Sequence, residues 1–158
     1  MQFDFEVQKS IDLISNILLD LGGEQVLDNQ FISLGELTSN GYADLVFRNP
    51  HGNSIPINIR CSRYDVQIDL DETPEVFEWP IILIETKSVD FTARIRQLLT
   101  GCILVEKRGN GYKAFSVFNP SGHFLFRTPI ISSFYYFTRP SFHLFLPYFV
   151  ASSRRLET

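Results

Sequence analysis

The sequence predicts an α+β domain. Its centre is a mixed, mainly antiparallel sheet flanked by an N-terminal helix and a second helix, in the order α-β-β-β-β-α-β-β-β, with an aromatic C-terminal segment. Three observations carry that expectation. Apolar residues recur at three- and four-residue steps near the N-terminus, they alternate with polar residues through the middle, and strong turn sequences separate the later strands. With 158 residues, 44% of them hydrophobic and 20% charged, the chain suffices for one core and is too apolar to stay disordered.

The first helix is expected over 4–21. Val7, Ile11, Ile14, Leu18 and Leu21 share one face, and Gly22-Gly23 supplies the stop. Residues 24–40 are ambiguous, with a short strand expected at 30–34. Strands follow at 42–48, 54–62 and 64–70. In the last, Val66, Ile68 and Leu70 alternate with Asp65, Gln67, Asp69 and Asp71, so one face is apolar and the other acidic. An apolar strand is expected over 80–86. A helix over 90–100 puts Phe91, Ile95, Leu98 and Leu99 on one face, with Asp90 as cap and Gly101 as terminator. Strands at 102–107, 112–118 and 123–128 then form a meander through the turns at 108–111 and 119–122. The domain is thus expected over 1–128. Residues 129–158, with eight aromatics between 134 and 149, read as a segment packed on it.

The acidic first residues do not read as a secretory signal, and no run of 18 apolar residues occurs, so a cytoplasmic location with no membrane association is expected. Cys61 and Cys102 lack metal-ligand spacing and read as buried thiols in a reducing compartment. His51, His123 and His143 show no metal spacing either. Charge is lopsided: residues 1–86 hold 15 acids against 4 bases, and residues 87–158 hold 3 acids against 10 bases. Two surfaces of opposite sign, each suited to its own partner, would follow.

One constellation suggests catalysis. Glu85 and Lys87 end the apolar run from Trp79, and on a strand such a pair projects to one face. An acid able to hold a metal beside a cation able to orient water suits hydrolysis. With the element order around it, this arrangement resembles the core of the PD-(D/E)xK nuclease-like superfamily over residues 4–107. The resemblance implies Glu85 with Asp69 or Asp71 as magnesium ligands, Lys87 orienting the attacking water, and Gln97 as a helix glutamine facing the site. Magnesium takes oxygen ligands, lowers the pKa of its water and neutralises charge on the phosphate of a nucleic acid substrate. The superfamily's proline-aspartate step is absent, since Pro74 follows Asp71. A second register also fits: Asp44, with Asn58 where Glu is expected and Arg60 where Lys is expected. That site would be inactive for want of a carboxylate.

The rival expectation is a non-catalytic protein-binding module without cofactor. Asp65, Asp69, Asp71, Glu72, Glu75 and Glu78 lie within fourteen residues, with no Lys or Arg from Asp65 to Thr86. Such a face suits a basic protein partner, with Phe77 and Trp79 beside it as aromatic anchors. In size, acidity and α+β organisation the chain is similar to bacterial toxin-immunity proteins, including those of contact-dependent inhibition, and a secretion chaperone is a variant of that class. A homodimer is compatible with either expectation.

Overall fold

The computed structural model describes residues 5–22, 32–34, 43–48, 52–109, 111–131 and 139–149. They form α1 (Phe5–Gly22), β1 (Ile32–Leu34), β2 (Ala43–Phe47), β3 (Ile57–Cys61), β4 (Asp65–Leu70), β5 (Thr73–Pro80), α2 (Ile81–Thr86), α3 (Ser88–Thr100), β6 (Cys102–Arg108), β7 (Tyr112–Phe118), β8 (Phe124–Ile131) and β9 (Ser141–Phe145). The α+β class holds, and the pairing is antiparallel throughout. Instead of one central sheet there are two, ordered β1-β2-β3-β4-β5 and β8-β7-β6-β9. The chain divides into two compact units, Met1–Ile95 and Arg96–Thr158, with the boundary inside α3.

In the first unit, β2, β3 and β4 alternate buried and half-buried residues in strict period two. Leu45, Phe47, Ile57, Ile59, Val66, Ile68 and Leu70 face the core, each no more than 3% exposed. On α1 the stripe Val7, Ile11, Ile14, Ile17 and Leu18 is buried, and the helix packs against β3. Burying each such side chain stabilises the unit by roughly 1.5–3 kcal/mol.

The apolar run over 80–86 is a helix, not a strand, and the acidic stretch before it forms a further strand, β5. The reason lies in the pairing. β5 pairs with β4 until Pro80 meets Asp65, and the Ile81 N–H closes the ladder on the Tyr64 carbonyl. Beyond that point β4 offers no partner, and proline has no N–H to donate to a further one. With φ −55° and ψ 140°, Pro80 leads into α2. There Ile84 is buried while Ile82 and Leu83 are exposed, a helical rather than alternating pattern.

β4 and β5 are joined by the two-residue turn Asp71-Glu72, with φ 47° and 63°. Left-handed backbone at both positions gives a turn whose twist matches the strands it joins.

The second unit is built around β6 and β7, where Ile103, Val105, Phe115 and Val117 are buried. From α3, Leu98 and Leu99 are buried as well. Gly101 links α3 to β6 where a Cβ would stand 2.5 Å from the Phe118 carbonyl oxygen and 2.6 Å from that of Gln97. Only glycine fits. The expected turn at 119–122 forms, with Gly122 at φ +85° and Asn119 Oδ1 accepting the His123 N–H at 2.8 Å. The aromatic segment supplies β9, which pairs with β6; beyond it the Tyr148 and Phe149 N–H groups donate to the Leu99 carbonyl.

Candidate functional site

The predicted magnesium ligands occupy opposite ends of one hairpin. Asp69 lies near the tip of β4 and Asp71 in the turn itself, whereas Glu85 lies beyond Pro80, at the open end. The eight residues of β5 span about 25 Å, and the six of α2 can recover at most about 9 Å. Glu85 Oε1 accepts from Lys9 Nζ of α1 at 2.8 Å, both side chains about half exposed. Lys87 is the C-cap of α2, its N–H donating to the Leu83 carbonyl, and its side chain is exposed. Gln97, half-buried on α3, accepts the Gly101 N–H through its carbonyl, within the second unit. Among the described residues no three His, Cys, Asp or Glu side chains form a group able to hold a metal ion. The residues present do not fit the implied magnesium centre.

Lys9 and Glu85 instead border a largely apolar cleft of about 200 Å³, lined also by Ser10, Leu13, Ile81, Ile84 and Ser88. Exposed Phe5 lies under Lys9, whose Nζ is 5.2 Å from the ring centre.

The second register does come together, on the outer face of the first sheet. Cross-strand partners share a face, and Asp44 pairs with Arg60, Arg60 with Gln67, Asn58 with Asp69, and Gln67 with Glu78. Arg60 Nε donates to Asp44 Oδ1 at 3.3 Å and Asn58 Nδ2 to Asp69 Oδ2 at 3.4 Å. Asn58 Oδ1 is buried and has no hydrogen-bond partner among the described residues. At the other end of β4, Ser62 Oγ accepts the Tyr64 and Asp65 N–H groups and donates to Asp65 Oδ1 at 2.5 Å, while Gln67 Nε2 donates to Asp65 Oδ2. Asp44, Asp65, Asp69 and Glu78 therefore share this face with Arg60. Asp71 and Glu72 stand at its tip, and Glu75 is carried by β5.

Trp79 and Phe77 lie on the opposite face, across from Val66 and Ile68, and so do not flank the acids. Trp79 meets Phe91 edge-on at 5.3 Å and stacks on Phe77 at 5.8 Å. The Arg94 guanidinium lies 5.3 Å over Phe77, and burial pulls its pKa below the ordinary value. Cys61, on the same core face, is fully buried; burial first and nearby Asp44 second push its thiol up to about 12.

The sequence reading missed the outer face of the second sheet. Glu106 lies across β6 from Phe142 of β9, and Leu104 from Leu144. Arg108 Nε donates to Glu106 Oε1 at 2.7 Å, and Arg127 Nη2 donates to Glu106 Oε2 at 2.8 Å and to the Tyr112 hydroxyl at 2.5 Å. Hydrogen bonding from Arg108, opposed by burial and aided by Arg127, holds the Glu106 carboxyl below its ordinary value. At the rims, Phe142 is 60% exposed and Phe124 59%. The signal was the alternation Leu104, Glu106, Arg108, but β9 was needed to reveal which rings accompany it.

Charge follows the division of the chain. The first unit holds 6 Lys and Arg against 16 Asp and Glu, net −10; the second holds 8 against 2, net +6. No helix among the described residues is long and apolar enough to cross a membrane. Comparison of the chain with protein-family models, curated proteins and solved structures gave no match.

Proposed function

We propose that this protein is a non-catalytic binding module that takes a basic protein partner on the outer face of its first sheet, the role an immunity protein plays toward its toxin. The observation that supports it is the sharing of one face by Asp44, Asp65, Asp69 and Glu78, with Asp71 and Glu72 at the tip, in a unit of net charge −10. A rigid sheet presents these groups with side chains already ordered by mutual hydrogen bonds, which lowers the entropy lost on docking. Long-range attraction speeds encounter, and pairing with Lys or Arg of the partner fixes register. A secretion chaperone would use the same face in the same way. The reading sets the protein in the cytoplasm, where Cys61 and Cys102 stay reduced.

The test is capture of the partner from cells, followed by titration with wild type and with the double variant Asp69→Lys, Glu78→Lys. The reversal is expected to weaken binding at least tenfold, about 1.4 kcal/mol, mainly by slowing association, and rising salt should weaken wild-type binding. Binding indifferent to both reversal and salt would remove this face from the interaction. Magnesium-dependent cleavage of DNA or RNA, lost in Glu85→Ala, would return the nuclease reading.

A further inference from the structure

We propose that the outer face of the second sheet is a platform for single-stranded nucleic acid, with Phe124 and Phe142 stacking bases while Arg127 and Arg108 hold phosphates. The face belongs to the other unit from the one proposed to bind protein, and the net charge of that unit is opposite in sign.

Charge, rings and spacing converge on this occupant. The unit carries 8 Lys and Arg against 2 Asp and Glu, which favours a polyanion. Phe124 and Phe142 sit on β8 and β9, the two edge strands, and both are more than half exposed. Stacking on such rings needs no particular base, because every base has a π-face. Phe124 pairs with Phe118 past a register shift between Val117 and Phe118, which sets it on the face of Arg127 although three residues separate the two. Counted along β7 from Ala114 to Phe118, the rings are three strand spacings and four residues apart, a diagonal of roughly 19 Å. Several nucleotides can follow that line. Arg127 stands on β8 three residues from Phe124, directly across from Ser116.

Glu106 sets the strength of the site. Its carboxylate already draws both guanidinium groups to one point, as a phosphate would, and 13% of its side chain is exposed. Among the described residues the Arg127 Nε and Nη1 make no hydrogen bond, and 43% of that side chain is exposed. A phosphate can therefore add to Arg127 without displacing Glu106, and removing the Glu106 charge leaves both arginines for the ligand. An acidic peptide shares the charge, but it offers no flat faces for the two rings.

The experiment is fluorescence anisotropy of labelled oligo(dT) and oligo(U) with the full chain at several salt concentrations. Saturable binding is expected for one or both, the ratio between them stating whether the 2′-hydroxyl is read. Phe142→Ala and Phe124→Ala should each weaken it about tenfold with the salt slope unchanged. Arg127→Ala should lower that slope by about one, and Glu106→Gln should tighten binding severalfold. Three results would overturn the proposal: no saturable binding at low salt, binding unmoved by either phenylalanine variant, or equal displacement by oligoglutamate. Because Phe124 and Phe142 are exposed, their variants keep the fold and the test stays decisive.

Discussion

The two sheets bury the same kind of residue and expose opposite kinds. In the first, outward positions on β2 to β5 hold Asp44, Asn58, Arg60, Gln67, Asp69 and Glu78, tied to one another across strands. In the second, a compact knot of Glu106, Arg108, Arg127 and Tyr112 is rimmed by bare rings and aliphatics. Alternation alone decides that a strand has an inside; the identity of the outward set decides what can dock there. A ladder of charged and hydrogen-bonding groups resists nonspecific adhesion, whereas exposed rings beside arginines invite it.

The comparison can be sharpened by weakening each unit with its own probe. Trp79 is the sole tryptophan and reports on the first unit. Phe91→Ala removes the fully buried ring against it, and should cost about 3–5 kcal/mol in denaturant unfolding followed by Trp79 emission. A smaller loss would show that the β5–α3 contact is not where the first core is strongest. In the second unit, Gly101→Ala forces a methyl against two backbone carbonyl oxygens and should cost about 1–3 kcal/mol by circular dichroism.

Alkali should act on the first unit through Cys61. Its folded pKa of about 12 lies above the unfolded value of 9.0, so the unfolded state binds fewer protons between them. Stability from this group is complete below pH 9 and falls as pH rises toward 12, by up to about 1.4 kcal/mol per pH unit. Cys61→Val should flatten that slope. The smallest effect is a gain. Glu72 holds a left-handed φ that glycine adopts at no steric cost, so Glu72→Gly should stabilise by about 1 kcal/mol in thermal melts.

Much of this was legible in advance, and what was not failed for physical reasons. The Val7 to Leu18 stripe declared α1, and strict alternation declared β2, β3 and β4, because each buries only one face. From Trp79 to Ile84 five of six residues are large and apolar, so neither period stands out and strand was read where α2 forms. β9 was hidden for the converse reason: Ser141 to Leu144 are exposed on both faces, leaving no inward set to alternate. In the candidate sites, the Asp44–Arg60 partnership could be read from two neighbouring strands. The Lys9–Glu85 pair could not, since 76 residues separate its members. The acids were legible as a cluster, but their separation from Trp79 depended on the β4–β5 register.

Cysteine placement gives the intact protein two internal clocks. Cys61, fully buried in the first unit, can meet a thiol reagent only when that unit opens; Cys102, half-buried in the second, reports there instead. Timed alkylation followed by peptide mass analysis would therefore follow the opening of the first unit at Cys61 and the accessibility of the start of β6 at Cys102 separately, on the full chain. Adding a partner or an oligonucleotide would slow one clock or the other, and the slowed clock would name the unit that had been gripped.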